Sequence, residues 1–232
     1  MGRAPAVTQE ELRRLFPAGV IVEVSTSADE NEASLYAEER ALMSSMAPIR
    51  RREFAAGRNA ARRALAQLAA PRVPLLRPGA DRDVAWPAGI SGSISHTKGL
   101  VAVACARIVP GVQSVGLDVE QAGTLGDDIV TAICRPEELD ALAEVPSPLP
   151  SDWPRLVFAL KEAVYKALYP VTRRVLDFHD VRVDVAVPLR SFSAEVLDRS
   201  VPDLQIAGRF TWDDGHVAAG AVLSRAGAGS MA

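Results

Sequence analysis

The order of apolar and polar positions along the chain predicts alternating strands and helices. The strand-like runs cover residues 20–26, 89–107, 114–120, 180–187, 191–197, 204–212 and 216–224. The helical patterns cover residues 8–16, 33–46, 49–70, a stretch after Arg135 and the stretch around 158–168. Both types of element recur along the whole chain. The pattern therefore predicts a fold of the α/β (α+β) class.

Two stretches of the chain resemble later stretches, which points to an internal duplication. Residues 57–65 align with 160–168, so that Arg58 falls on Lys161 and Arg63 on Lys166. Residues 98–107 likewise resemble 214–225. We expect two similar halves related by a pseudo-twofold axis, residues 1–112 and 113–232, forming one compact unit. A ligand site is expected between them, where concave surfaces form.

The helix around residues 158–168 carries a lysine inside its apolar stripe. The stripe consists of Val157, Leu160, Val164 and Leu168. At about 100° per residue Lys161 falls within this stripe, and Glu162 and Lys166 lie along its edge. Lysines beside apolar surface can neutralise a polyphosphate in a dry site, while Glu162 holds a metal or takes a proton.

Composition and charge exclude several classes of protein. The chain has 232 residues, 48% of them hydrophobic, and a net charge of −3, which disfavours a general nucleic-acid coat. Its two cysteines show no Cys/His metal spacing, so a zinc site and a disulfide framework are not expected. No apolar run suits a signal peptide or a membrane span. These features predict a cytoplasmic protein that binds neither nucleic acid nor membranes.

Two carboxylates lie close together on one predicted strand. In "VGLDVE" the alternation directs Asp118 and Glu120 to the same face. Such neighbours repel unless a cation lies between them, and Mg²⁺ prefers oxygen ligands. Glu162, from the helix, is the natural third acid. A solvated strand face with two free acids is the alternative explanation.

Basic and hydroxyl residues form two candidate anion sites. The turn "GSISHTKG" brings Ser95, His96 and Lys98 between two glycines, a combination that suits an anion but also an ordinary hairpin. Six arginines lie within residues 50–63. They form either a solvated helix face or a local anion site.

These motifs together resemble the 4′-phosphopantetheinyl transferase superfamily. "VGLDVE" followed by "FALKEAVYKAL" resembles the paired signature of the family. "RRREFAAGRNAARRAL" and "WPAGISGSISHTKG" resemble the earlier motifs of its Sfp-like branch, in particular the enterobactin synthetase component D type. The order and combination of the four motifs make the resemblance specific, and it covers about residues 50–170.

The resemblance implies a reaction and roles for individual residues. The family moves the phosphopantetheine arm of coenzyme A onto a serine of an apo acyl or peptidyl carrier protein and releases adenosine 3′,5′-bisphosphate. Asp118, Glu120 and Glu162 would bind Mg²⁺, with Mn²⁺ as a substitute, and Glu162 is either a metal ligand or the general base. Lys161 and Lys166 would contact the cofactor, the latter at the pyrophosphate.

The resemblance also implies how the nucleotide is held. Ser95 and His96 would contact phosphate, and His96 would help to stabilise the leaving group. Arg50 and Arg58 would contact the 3′-phosphate. A further basic residue before the Trp-Pro pair is either Arg77 or Arg82, with Arg77 preferred. The family is expected to act as a monomer in siderophore, polyketide or nonribosomal-peptide biosynthesis.

Two other functions use the same residues. A Mg²⁺-dependent nuclease or phosphohydrolase would activate water at the same acids and would need no carrier-docking surface. A non-catalytic coenzyme A-binding module is the third alternative, although the intact acidic trio argues against it. Metal and phosphate binding are common to all three.

Overall fold

The protein folds around two antiparallel sheets, each with one long helix packed on it. The computed structural model describes residues 7–26, 31–76, 84–143, 153–198 and 204–225. The helices are α1 (Gln9–Arg13), α2 (Ala37–Leu42), α3 (Pro48–Gln67), α4 (Asp127–Ile133), α5 (Pro136–Ala143) and α6 (Trp153–Thr172). The strands are β1 (Ile21–Thr26), β2 (Ile90–Thr97), β3 (Leu100–Arg107), β4 (Ser114–Gln121), β5 (Val181–Ala186), β6 (Ser191–Val196), β7 (Leu204–Trp212) and β8 (His216–Arg225). The predicted mixed fold is confirmed, and its antiparallel sheets make it α+β.

The two sheets share an order of strands. The first runs β1-β3-β2, and the second runs β4-β8-β7-β6-β5. In each, a first strand leads to a helix of 20 residues, and the helix leads to a later hairpin whose second strand returns beside the first. The second sheet adds the β5–β6 hairpin at its far edge. This repeated order follows the matches seen in the sequence, whereas the domain boundary at residue 112 stays a prediction.

The predicted apolar stripe of α6 is the centre of the larger core. Its four residues, Val157, Leu160, Val164 and Leu168, are each at most 1% exposed. They pack against inward-facing residues of the second sheet, among them Val183, Phe210 and Leu223. The helix thereby lies flat on the sheet, with β4 under its middle.

The two sheets meet along a line of serine hydroxyls. Strands β2 and β4 are edge strands of separate sheets. Ser91, Ser93 and Ser95 accept hydrogen bonds from the backbone N–H groups of every second residue of β4, at 3.1, 3.0 and 3.1 Å. The hydroxyls take the place of backbone carbonyls, so the buried edge of β4 leaves none of these donors unsatisfied.

Most predicted elements occur, with two differences. The capping box of α1 is confirmed, because the Thr8 hydroxyl accepts from Glu11 N and Glu11 Oε2 accepts from Thr8 N. The predicted helix over 33–46 is confirmed over α2 and the 3₁₀ turn Met43–Ser45 that continues it, but not at its start: a separate 3₁₀ turn (Glu32–Ser34) precedes α2, and Leu35 and Tyr36 between them are extended. The short helix α4 was not predicted. Among the described helices, none is both long and apolar enough to cross a bilayer.

Candidate active site

The candidate site, called the cleft below, lies where β4, the end of β2 and the middle of α6 come together. The carboxylates of Asp118 and Glu120 face α6, on the side of the sheet opposite Val119. Gly116 lets the backbone of α6 lie directly on β4, since an added Cβ would be 1.9 Å from Ala163 O. This contact brings Glu162 and Lys166 to the cleft.

Asp118 is buried and keeps one oxygen without a partner. It is 2% exposed. Its Oδ1 accepts from Lys166 Nζ at 2.6 Å and from the Ser95 hydroxyl at 3.0 Å. Its Oδ2 is buried and has no hydrogen-bond partner among the described residues. A buried carboxylate oxygen without a donor is costly unless a cation or another donor reaches it.

The negative charge of Asp118 raises the pKa values of the other two acids, Glu120 and Glu162. Burial raises the pKa of Glu120 to about 7, with Asp118 and Glu162 adding to the rise and Arg155 opposing it. Burial also raises the pKa of Glu162, while Lys166 lowers it and Asp118 raises it. The three carboxylates therefore face one region and repel one another there.

The acids do not form a ready-made protein cage. Across the described residues, no group of three or more His, Cys, Asp or Glu side chains is close enough to hold a metal by itself. Mg²⁺ usually takes only one or two carboxylates and completes its sphere with water and phosphate oxygens. The unpartnered oxygen of Asp118 and the mutual repulsion of the acids fit such an open site.

Ser95 and Lys166 orient Asp118 from two sides. The Ser95 hydroxyl accepts from Val119 N at 3.1 Å and donates to Asp118, so it ties the carboxylate to its own strand. Lys166 Nζ lies 3.4 Å from the same hydroxyl, and its side chain remains 27% exposed. The Lys166 ammonium can therefore bind an anion in the cleft while it stays paired with Asp118.

His96 lies near the same site, since the charges of Lys166 and Asp118 both affect its pKa. Its Nε2 accepts from the guanidinium of Arg50, and its Nδ1 is 3.4 Å from Glu53 Oε2. Burial lowers the pKa of His96, and Arg50 and Lys166 lower it further. A neutral imidazole with its proton on Nδ1 satisfies both neighbours.

Arg58 is a buried cation with no hydrogen-bonded anion in the part of the chain that the structure describes. The residue is 8% exposed, and its guanidinium lies 4.4 Å from the Phe54 ring centroid. Its Nε is buried with no partner among the described residues. Burial lowers the pKa of Arg58 to about 10 despite the field of Glu39. A guanidinium in this state lacks the bidentate partner that it usually has.

The prediction that Lys161 contacts the cofactor requires correction. Lys161 Nζ is buried and donates to Ile133 O and Phe178 O, each at 2.9 Å. It also pairs with Glu138 Oε2 at 2.8 Å. All three protons are used, and burial lowers the pKa of the ammonium. On a helix, residues 161 and 166 point about 140° apart, so only Lys166 reaches the cleft.

Two predicted arginines cannot be placed, and two residues near the site were not predicted. Arg77 and Arg82 lie outside the described residues, so their contacts stay predictions. Arg155 was missed: its Nη1 is 3.5 Å from Glu120 Oε2. Arg155, Glu162 and Lys166 are spaced i, i+7 and i+11, which places them on one helix face and was visible in the sequence. Glu53, which lies one turn after Arg50 and beside His96, was also missed although its spacing was visible in the sequence.

Comparison with known proteins gives the same family for both halves. Residues 38–106 match the family described as "4'-phosphopantetheinyl transferase N-terminal domain". Residues 114–213 match "4'-phosphopantetheinyl transferase superfamily". The first match contains α3, β2 and β3, and the second contains β4 and α6.

Curated relatives extend the similarity over most of the chain. The 4'-phosphopantetheinyl transferase Svp of Streptomyces mobaraensis is 35% identical over 84% of this chain and 78% of its own length. The 4'-phosphopantetheinyl transferase Npt of Nocardia iowensis is 32% identical over 89% of this chain and 96% of its own length. Enterobactin synthase component D of Salmonella typhi is 33% identical over 51% of this chain and 48% of its own length.

Proposed function

The chain belongs to the 4′-phosphopantetheinyl transferase superfamily, and on this basis we propose that the cleft between β4 and α6 is its catalytic centre. The protein is a transferase that uses coenzyme A to modify carrier proteins. The phosphopantetheine arm passes to a carrier serine, and adenosine 3′,5′-bisphosphate leaves. The observation that carries the site assignment is the buried Asp118 Oδ2, which has no hydrogen-bond partner within the described ranges and lies near two further carboxylates and Lys166.

The metal proposed for this cleft is Mg²⁺, with Mn²⁺ as a substitute. Asp118 and Glu120 would hold it, with Glu162 as either a third ligand or the general base, because carboxylate oxygens suit hard divalent cations and the repulsion among the acids is relieved by one. When bound, the metal supplies positive charge that neutralises the pyrophosphate.

The residues of the chain then have separate tasks in the transfer. The serine oxygen attacks the β-phosphorus, and its proton passes to the Glu162 carboxylate, directly or through water, where Glu162 is the base. The bond from the β-phosphorus to the bridging oxygen breaks, and the electron pair leaves with the bisphosphate. Lys166, only 2.6 Å from Asp118, would stabilise that leaving group, and His96 would hold the Arg50 guanidinium beside it through Nε2.

Nucleotide binding is assigned to the basic residues around the first long helix. The Arg58 Nε has no hydrogen-bond partner among the described residues, and Arg50 is 49% exposed beside His96, so a 3′-phosphate can be bound between them. Ser95 acts through Asp118 rather than on the nucleotide. We place the cleft between the halves 1–112 and 113–232, in a cytoplasmic monomer that serves siderophore, polyketide or nonribosomal-peptide carriers.

Incubation with coenzyme A, Mg²⁺ and an apo carrier protein tests the assignment. Intact-mass analysis of the carrier should show a gain equal to the phosphopantetheine arm, with release of adenosine 3′,5′-bisphosphate. Hydrolysis of phosphate esters or nucleic acid without that gain would favour a metal-dependent phosphohydrolase. Binding of coenzyme A without either reaction would indicate a non-catalytic module.

Metal affinity should rise with pH around neutrality. A proton on Glu120, whose pKa is raised to about 7, competes with the metal, so the charged form that binds becomes dominant only above that pH. Mn²⁺ affinity, measured by electron paramagnetic resonance, is expected to increase at least ~10-fold from about pH 6 to about pH 8. Glu120→Gln should bind more weakly with a flatter pH profile. Equal affinity of the wild type at both pH values would contradict this role of Glu120.

Arg58 should discriminate between coenzyme A and its 3′-dephospho form. Arg58→Met is expected to raise the KM for coenzyme A by about 10-fold to 100-fold, the worth of a charge-assisted contact. The KM for 3′-dephospho-coenzyme A should stay within about twofold of the wild-type value. The matched control is Arg51→Met. Arg51 lies on the same helix as Arg58, and its side chain is paired with Glu32. An equal rise in KM for both substrates would show that Arg58 does not bind the 3′-phosphate.

A further inference from the structure

Glu138 joins three elements of the second half, α5, α6 and β5. Its Oε2 accepts from Lys161 Nζ at 2.8 Å and from Arg135 N at 2.9 Å. Its Oε1 accepts from Val183 N at 2.9 Å, at the start of the β5–β6 hairpin. Its backbone carbonyl accepts from Trp153 Nε1 at 3.3 Å, at the first residue of α6. One residue therefore binds α6 at two points and connects it with α5 and β5.

The ion pair between Glu138 and Lys161 is enclosed and fully hydrogen-bonded. The two side chains are 2% and 1% exposed. The remaining two protons of Lys161 bind the carbonyls of Ile133, which ends α4, and Phe178, which follows α6. A buried pair tolerates burial only when all its groups are satisfied, and breaking it leaves an uncompensated charge. The cluster is therefore a stiff junction between α4, α5, α6 and β5.

This junction determines the rotation of α6 about its axis. On one side, Gly116 brings β4 into contact with the helix backbone at Ala163. Away from that contact, Lys161 is fixed by Glu138 and two carbonyls. Glu162 is the next residue along the helix, and a helix turns as a rigid body at about 100° per residue. The direction of Lys161 thus sets the direction of Glu162.

We propose that Glu138 is a positioning residue for the transfer reaction, which acts through Lys161 to aim the Glu162 carboxylate at the metal and the attacking serine. The inference rests on the proposed function of the cleft. It explains why a lysine occupies the apolar stripe of the helix: its charge fixes a neighbour instead of binding phosphate.

The first half contains a matched version of the junction. Glu39 is 0% exposed, its Oε2 accepts from Tyr36 N at 3.0 Å, and its Oε1 accepts from Leu75 N at 3.0 Å. It also pairs with Arg62 of α3. Each glutamate thus caps its own short helix and accepts a hydrogen bond from the segment after the long helix. Each also pairs with a basic side chain of that long helix, Arg62 in α3 or Lys161 in α6. The Glu39 junction holds α3 and not α6, so it serves as the control.

The test uses the double variant Glu138→Gln/Lys161→Met with its two single variants. Either single change leaves one buried charge or donor without its partner and should lower stability, whereas the neutral double variant should recover it. If Glu138 positions Glu162, the folded double variant still has kcat lowered about 10-fold to 100-fold and a Mn²⁺ Kd raised by a similar factor. Its KM for coenzyme A should stay within about twofold, because the nucleotide contacts lie on α3.

The control and the contrary outcome separate positioning from stability. Glu39→Gln/Arg62→Met should leave kcat and Mn²⁺ affinity at wild-type values. A Glu138→Gln/Lys161→Met protein of wild-type stability, kcat and Mn²⁺ affinity would overturn the proposal. Should that double variant not fold, Glu138→Asp, which keeps the charge and shortens its reach, decides by the same measurements. Absence of transfer by the wild type would refute the proposed function, while the Mn²⁺ comparison would still decide on Glu138.

Discussion

Asp118→Asn should lower kcat for transfer by about a thousand-fold and leave the fold intact. The amide keeps the volume of the carboxylate and an oxygen that can accept from Ser95 and Lys166. It replaces the unpartnered Oδ2 by a neutral group and removes the charge that a divalent cation requires. The thermal midpoint should therefore change by only a few degrees, because the variant also relieves repulsion with Glu120.

Single-turnover transfer and thermal unfolding, measured on the same samples, check this result. Glu162→Gln should give a comparable loss of kcat, since it removes both the third acid and the proposed base. Asp184→Asn, at an acid that is 66% exposed on β5, is the control and should transfer at the wild-type rate. Turnover close to wild type in either cleft variant would refute the roles assigned to these acids.

Gly116→Ala should both destabilise the protein and impair transfer. Its Cβ would lie 1.9 Å from Ala163 O and 2.8 Å from Ala167 N, and backbone atoms cannot rotate away. Overpacking of this kind costs about 3 kcal/mol, which lowers the thermal midpoint of a chain of this size by about 10 °C. Ala163 and Ala167 directly follow Glu162 and Lys166, so displacement of α6 moves both cleft residues. A shift of ~1 Å there can cost about 100-fold in kcat.

Gly111→Ala is the matched control for this effect. Apart from its chain neighbours, no atom of the described residues lies within 4 Å of a Cβ at position 111 and its φ is not positive, so stability and kcat should be unchanged. Differential scanning fluorimetry and carrier mass gain at about 15 °C, where both variants are folded, separate loss of fold from loss of rate. A Gly116→Ala protein with wild-type midpoint and kcat would show that the helix can retreat from β4 without consequence.

Part of the site could be predicted because its signals are local. Alternation along β4 placed Asp118 and Glu120 on one face, and the spacing of Glu162 and Lys166 placed them on one edge of a helix. Both arrangements follow from backbone geometry within a single element. The same local reasoning placed Lys161 within the apolar stripe, and the residue is 2% exposed.

The role of Lys161 was beyond local reasoning. Periodicity tells which way a side chain points but not what it meets. Its partners, Ile133, Glu138 and Phe178, come from segments on either side of α6 in the sequence. Without them, a buried lysine next to a glutamate suggests a phosphate site, and with them it is a structural ion pair.

The sequence by itself determined the elements, the internal repeat and the kind of chemistry, because these depend on residue type and short-range spacing. Only the tertiary structure decided how the halves join and which charges are available. The Ser91, Ser93 and Ser95 hydroxyls connect two sheet edges whose adjacency no period reveals. Burial and pairing, which shift a pKa or occupy a donor, depend on neighbours brought together by folding, so Lys166 faces the cleft whereas Lys161 does not.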